Sequence, residues 1–439
     1  VNKTMTAKWR REGRLELELN NLWNEYVPKH LLPRLFGYEL LMAPYAIAHM
    51  KIGLKLYETG YTFQADERAH VYLTNALEPP SQLAEKTAAD LFEALGHEAK
   101  DVNAVKRNKH FTVVIGNPPY SYESINNGAW ISRLIKDYYS IDGQPLGEHN
   151  PKGLQDDYVK FIRFAQWQIA TAGCGVHIFI TNHSYIDNPT FRGMRRHLMA
   201  TFSEIYLLDL HGNSKKKEHC PDNTKDENVF DIQQGVAIGH FVKKPQIEER
   251  SPLEVGNNRE EHELSTINDV RHAHLWGLRE VTENPIENRA HFGSKYNWCR
   301  KNNVASVAWA ALTPQAPFYL FSPQNRDFLP EYEQGWKITE MMPLHSVGIS
   351  TSRDHLSVHM THQEAIAVIR RFISLPPETA RQELNLVEDS RDWQVVLAQN
   401  DLKLSGLAES FPIRMTYRPF DDRFTYYTGN SRGFHSMPR

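Results

Sequence analysis

The stretch FTVVIGNPPY (111–120) joins a short apolar run to two successive prolines set between an asparagine and a tyrosine. A run as apolar as Val113–Ile115 reads as a strand covered on both faces, the pattern of a parallel sheet flanked by helices. Working outward, strand-like and helix-like segments alternate. LFGYEL (35–40) reads as a strand, and APYAIAHMKIGLKLYETGY (43–61) as a helix, with Ile47, Met50, Leu54 and Tyr57 at helical spacing and Gly60 as its stop. VYLTNAL (71–77) is strand, SQLAEKTAADLFEALGHEA (81–99) helix, DDYVKFIRFAQWQIATAG (156–173) amphipathic helix and GVHIFIT (175–181) strand. A helix around 191–200, the strand SEIYLLDL (203–210) and two short strands within 228–244 follow. This alternation predicts an α/β fold with a mostly parallel, doubly wound sheet over 31–245. A helical segment (1–30) precedes it. A polar connecting region (246–300) without a long strand follows, and then a mixed α+β C-terminal domain (301–439).

The two prolines fix φ and remove two backbone donors, so the turn after the strand is rigid and leaves carbonyl oxygens unpaired. Such a turn suits an exocyclic amino group. The Asn117 side-chain oxygen accepts one N–H, the Pro118 carbonyl accepts the other, Pro119 keeps the turn stiff, and Tyr120 stacks on the planar ring. Holding both hydrogens aims the nitrogen lone pair at an electrophile, and the two acceptors stabilise the charge that develops as it attacks. The chemistry this serves is methyl transfer from a sulfonium donor. Glu39 ends the strand LFGYEL just before a helix, where an acid can hold the two ribose hydroxyls of a nucleoside cofactor. Asn75 follows the next strand, where its amide can pair with an adenine edge.

These motifs, in this order, resemble the amino-group DNA methyltransferases that make N6-methyladenine: GYEL (37–40), TNAL (74–77), NPPY (117–120) and IFITN (178–182). More narrowly, LLPRLFGYELLMAPYAIAHMKIGLKL (31–56), PFYLFSPQN (317–325) and YRPFDDRFTYYTG (417–429) resemble the methyltransferase and specificity region of the single-polypeptide Type I (Type ISP) restriction–modification enzymes. The resemblance implies a Rossmann-like methyltransferase domain and S-adenosyl-L-methionine as cofactor. It implies cofactor contacts at Glu39 and Asn75, and a flipped adenine of double-stranded DNA held by Asn117, Pro118 and Tyr120. It also implies a target-recognition domain over 301–439, and nuclease and ATPase domains in a longer parent chain. The sequence departs from that pattern in one respect. No Gly-rich loop precedes Glu39 to cradle the methionine part of the cofactor, and Gly173-Cys174-Gly175 reads as a helix stop. The chain is therefore expected to begin just after that loop, with an incomplete cofactor site.

With 50 Lys+Arg against 53 Asp+Glu, DNA contact has to come from local basic patches. Arg192, Arg195 and Arg196 can share one helical face, and Lys215, Lys216 and Lys217 form a basic loop. Near the C-terminus, Arg418, Arg423, Tyr426 and Tyr427 mix guanidinium forks with rings. Three scattered cysteines fit a reducing, cytoplasmic compartment. No membrane-length apolar run, P-loop or nuclease pattern occurs. His211, His219 and Cys220 match no zinc spacing, and no metal is expected. Two other readings remain open at this point: an NPPY methyltransferase acting on protein glutamine or RNA, and a non-catalytic DNA-binding fragment.

Overall fold

The computed structural model describes residues 1–64, 67–80, 93–120, 124–148, 151–245, 269–280, 294–344, 348–351, 353–390, 393–407, 412–430 and 432–435. Most of the polar region 246–300, and the first part of the helix expected over 81–99, lie outside them. Two compact units result, Val1–Gln324 and Asn325–Arg439.

The first unit opens with helices Asn2–Arg11 and Glu16–Tyr26, the latter continuing into a turn over Val27–Leu31. Their apolar stripe (Trp9, Leu19, Trp23, Val27) packs with Leu32, Leu56 and Tyr61 into a small core of its own. The helix Met42–Tyr57 follows the first strand, β1 (Phe36–Glu39), and β2 (His70–Leu73) pairs with β1 in parallel. The remaining strands are β3 (Val113–Gly116), a two-by-two-residue hairpin of β4 (Ser140–Ile141) and β5 (Gln144–Pro145), β6 (Gly175–Asn182), β7 (Glu204–His211), β8 (Val236–Lys243), β9 (Asp269–His274) and β10 (Ala310–Leu312).

Six of these form one sheet in the order β10-β9-β7-β8-β6-β3. Pairing is parallel at β3–β6 and β7–β9 and antiparallel at β6–β8, β7–β8 and β9–β10. The expected mostly parallel sheet is thus corrected to a mixed one, with β1 and β2 forming a separate two-stranded sheet. The reversal at β8 has a local cause. The connection 212–235 returns the chain to the rim it left, so β8 has to run back against β7. Asn228 fixes that connection, donating to the Gly212 and Gln234 carbonyls at 3.1 and 2.6 Å. Residues 228–235 therefore form a loop, and 228–244 supplies one strand rather than two. β9 lies where no long strand is expected. Its sequence, DVRHAH, looks polar, yet Val270 and His272 both point into the core at 1% exposure.

Because β6 and β7 both oppose β8, the strands β3, β6, β7 and β9 run the same way. Their carboxyl ends, at Asn117, His183, His211 and His274, share one rim of the sheet. The helix Asp157–Ala172 covers the sheet with Val159, Ile162, Ala165 and Ile169. The Asp156 side chain caps its start, and Gly173 at φ 83° ends it, as the helix-stop reading of Gly173-Cys174-Gly175 requires.

The second unit packs helices His362–Ser374, Pro377–Glu383 and Val395–Leu404 with the hairpin β11 (Pro412–Arg418) and β12 (Asp421–Tyr426), an α+β arrangement. Thr361 and Glu364 form a reciprocal capping box at the first of these helices.

Candidate active site at the carboxyl rim

The Asn117–Tyr120 turn leaves β3 at the rim. Asn117 and Pro119 are exposed, Pro118 is buried and Tyr120 is half-buried. The Tyr120 hydroxyl donates toward Asn117 Oδ1 at 3.2 Å and lies 3.3 Å from the Ile180 carbonyl of β6. Its ring meets Tyr158 edge-on at 6.4 Å. Burial pushes the Tyr120 hydroxyl well above its ordinary value, so it stays neutral and acts as a donor. Next along the rim, Asn182 closes β6 and accepts from the Ser184 backbone N–H at 2.9 Å.

Glu39 closes β1 and Asn75 lies just beyond β2 in this parallel pair, tied by the Thr74 N–H donating to the Glu39 carbonyl at 2.7 Å. Glu39 Oε1 accepts from the Leu40 and Leu41 N–H groups at 2.8 and 3.0 Å, which leaves Oε2 for a ligand hydroxyl. The Asn75 amide is more fully committed. Its nitrogen donates to Asn126 at 2.9 Å and to Glu78 at 3.3 Å, and its oxygen accepts from the Leu77 N–H at 3.0 Å.

Residues given no role in the sequence reading link these pieces. Asp157 accepts from Ser124 and Asn126 at 2.5 and 2.9 Å, and Lys160 donates to Ser124, to the Asn126 carbonyl and to Asn127. This network runs from Asn75 through the segment after Tyr120 to the helix Asp157–Ala172. Lys106 fastens the other side, donating to Thr74 Oγ1 and to the Asn75 and Glu78 carbonyls at 2.8–2.9 Å. Burial lowers its ammonium to about 8. Nothing in the local spacing of these residues signals the network, because it is made across 30 residues or so of intervening chain.

Among the expected basic residues, Lys215, Lys216 and Lys217 are exposed on the loop after β7, with Lys216 3.4 Å from Asp187. The shared arginine face does not form, because Arg195 points inward. It is fully buried, and its guanidinium donates to the Tyr185, Asn188 and Phe318 carbonyls at 2.6–3.0 Å. Arg192 pairs with Glu148, while Arg196 pairs with Asp142 at 3.0 Å. In the second unit Arg418 is exposed, and Arg423 is bound to Asp421 at 2.9 Å and lies over the Tyr417 ring at 4.5 Å. Tyr426, at 2% exposure, belongs to the core, whereas Tyr427 is half-buried.

Further along the rim, β7 and β9 end in a buried polar cluster. His183 donates through Nδ1 to Asp209 at 3.0 Å, and His211 Nε2 meets His274 Nδ1 at 2.8 Å. Burial pushes Asp209 up, but the His183 hydrogen bond and the His211 charge more than offset it and leave Asp209 at about 2. Beside this cluster, Lys295 and Asp226 form an ion pair at 2.8 Å with both side chains fully buried. Lys295 also donates to the Leu210 and Glu227 carbonyls, and Asp226 accepts from the Gly212 and Gly277 N–H groups.

With this geometry in hand, comparison with known proteins is informative. Residues 34–215 match the Eco57I restriction-modification methylase family, and residues 340–439 match the Type ISP C-terminal specificity domain. The chain matches Type ISP restriction–modification family domains. The methylase match holds Glu39, Asn75, the Asn117–Tyr120 turn and the ends of β6 and β7, and the specificity match holds the β11–β12 hairpin. No curated protein matches it. Solved structures similar to it include the DrdV–DNA complex (20% identity, 95% of this chain and 38% of that one, TM-score 0.55). They also include the ATP-dependent Type ISP enzyme LlaBIII bound to DNA (19% identity, 97% and 26%, TM-score 0.55). A third is a nuclease-deletion mutant of the Type ISP enzyme LlaGI with a DNA substrate mimic (18% identity, 97% and 38%, TM-score 0.56). These likenesses establish the fold of the methylase and specificity regions. The chain spans between about a quarter and two fifths of the length of those structures. Among the described residues, no helix is long and apolar enough to cross a membrane.

Proposed function

We propose that this chain is the modification part of a restriction–modification enzyme, a site-specific DNA methyltransferase acting on the N6 amino group of adenine. The observation that carries this reading is the exposed Asn117 beside the rigid Pro118–Pro119 turn at the end of β3, inside a methylase-family region. Asn117 Oδ1 and the Pro118 carbonyl accept the two amine hydrogens of an adenine turned out of the duplex. Tyr120, half-buried with its hydroxyl engaged by Asn117 and Ile180, is the ring that stacks on the base in this reading. As the nitrogen attacks, the same two acceptors stabilise its growing positive charge and bind the proton that is then lost to water. The specificity region reads the flanking sequence, and the exposed Arg418, Lys215, Lys216 and Lys217 meet phosphates.

S-adenosyl-L-methionine, when bound, would supply the electrophilic methyl group. The residues present fit it in part. Glu39 keeps Oε2 available for the ribose hydroxyls, but the Asn75 amide is spent on Asn126, Glu78 and Leu77, and no Gly-rich turn lies at the end of any described strand. Asn75 is thus assigned to loop positioning rather than to adenine contact. The partial fit also supports a second reading, in which this chain binds DNA without turning over.

The test is incubation of the chain with adenine-containing duplex DNA and methyl-labelled cofactor. Label on adenine N6 that disappears in Asn117→Ala supports the enzyme. DNA binding without label, and without cofactor uptake by calorimetry, supports the second reading. Label on RNA or on protein glutamine in place of DNA would sink both.

A further inference from the structure

The parallel pairing of β7 with β9 sets Leu207 beside His272 and Asp209 beside His274. Side chains two apart on a strand share a face, so the Asp209 carboxylate and both imidazoles stand on one face of the sheet, at its carboxyl rim. One oxygen of Asp209 and one ring nitrogen from each histidine lie within 4.8 Å of one another. An ion bonded at about 2.0–2.2 Å holds two donors about 3.3–3.7 Å apart, a spacing that small turns about the side-chain bonds reach from here.

His272 is the member that ordinary packing leaves unexplained. It is 1% exposed, and neither of its ring nitrogens has a hydrogen-bond partner. An imidazole buried in this way gives up its bonds to water and gains none in exchange. His177 is orphaned too, but it lies among the rings of Phe179, Phe202 and Phe241 and packs as a core residue. His272 lies instead against a carboxylate and a second imidazole, its ring meeting that of His274 edge-on at 4.4 Å. The surroundings leave donors free. Asp209 accepts from the His183 ring and from the His211 N–H at Oδ1, at 3.0 and 2.9 Å, so Oδ2 is left over. Among the described residues no lysine or arginine pairs with Asp209, and its charge is met by imidazoles. His211 Nε2 meets His274 Nδ1 at 2.8 Å and steadies that ring. A carboxylate fixed through one oxygen and an imidazole steadied by a neighbour are the supports that ligand residues receive in metal sites. His274 is exposed, so an ion can enter from solvent and water can complete its coordination.

We infer that Asp209, His272 and His274 form a site for one divalent first-row transition ion, of which Zn²⁺ is a representative, with His183 and His211 as positioning residues. Two imidazoles and one carboxylate with open positions suit such an ion, whereas Ca²⁺ takes more oxygens at longer distance. The expectation of no metal rests on His211, His219 and Cys220 as neighbours in sequence. The donors assembled here are joined instead by the pairing of two strands, which leaves no spacing to read. An ion held here would pin the ends of β7 and β9 to each other, and the site stands independently of methyl transfer.

Titration of the metal-free, full 439-residue chain with Co²⁺ tests this, read by visible absorption and by quenching of Trp276, whose ring lies 5.9 Å from that of His274. One equivalent should bind, with bands of a four- or five-coordinate ion, no sulfur charge transfer, and displacement by Zn²⁺. His211→Asn should weaken binding by about 10–100-fold, and His274→Gln, which removes a ligand at the surface, by more than that. His272→Leu should abolish uptake yet leave the metal-free chain at least as stable to heat, because it removes two unpartnered nitrogens from an apolar setting. His219→Asn should leave uptake unchanged. Uptake by His274→Gln and His272→Leu equal to that of wild type, or no stoichiometric uptake by wild-type chain that unfolds cooperatively on heating, overturns the site.

Discussion

Two stretches of one rim differ in how they treat polar groups. The Asn117–Tyr120 turn holds its asparagine out to solvent, with Tyr120 as its side-chain partner among the described residues. The β7–β9 end draws Asp209, His211, His272 and Lys295 inside, each at 7% exposure or less. A group left facing water at the end of a strand costs the fold little and is free to meet a ligand. A buried charge is costly unless its partners are fixed, so its removal is felt through stability. The rim is thus divided between a part that can be cut with little structural loss and a part that cannot.

The largest effect expected from this division is at Lys295. Lys295→Met leaves Asp226 buried without its cation and should cost about 3–5 kcal/mol, read as a lower urea midpoint. A loss under about 1 kcal/mol would mean the pair is wetter than its full burial implies. At the other end of the rim, Asn117→Ala should lower methylation by about 10²-fold or more, equivalent to about 2.7 kcal/mol of transition-state stabilisation. Its melting should change by no more than about 0.5 kcal/mol. A large stability loss there would erase the contrast.

The sheet beneath the rim gives an acid-side test. His177 is fully buried against Phe241, and burial, with His240 nearby, holds its imidazole down to about 3. Below an unfolded value of about 6.5 the unfolded chain takes up a proton that the native chain refuses, so stability falls with pH. The loss between pH 7 and pH 5 should be about 2 kcal/mol from this residue. His177→Phe should flatten that slope in thermal melts recorded across the same range. Smallest is Arg418→Ala in the specificity region. As a proposed phosphate contact on the exposed face, it should reduce the salt slope of DNA binding by about 1 and leave folding unchanged.

The exposed half of the rim was legible in the sequence and the buried half was not. NPPY carries its chemistry in four adjacent residues, and β3, β6 and β7 are apolar enough to read as strands. Glu39 could be placed because it ends a short strand before a helix. The Lys160–Asp157–Asn126–Asn75 network joins residues far apart in sequence and leaves no local pattern. The order of strands around β8 was likewise hidden, since direction depends on where the 212–235 loop returns. Helical spacing put Arg195 with Arg192 and Arg196. Spacing of three and four residues leaves a wide arc, however, and the carbonyls of Tyr185, Asn188 and Phe318 lie on the inner side of it. Tyr426 was read as a DNA contact from composition and the family resemblance, and the hairpin register places it in the core.

Among the described residues β3 has one hydrogen-bonded neighbour, and β1 has one, whereas β6, β7 and β8 are each paired on both sides. Val113 and Ile115 of β3 are 62% and 74% exposed. In terms of amide exchange the sheet therefore has a slow centre and a fast flank, because an edge opens without breaking the ladders behind it. The proposed catalytic turn is carried on the fast flank. Exchange at Val113–Gly116 should outpace that at Ile205–Leu208 by orders of magnitude, and any strand laid along β3 would slow the turn and stiffen it together.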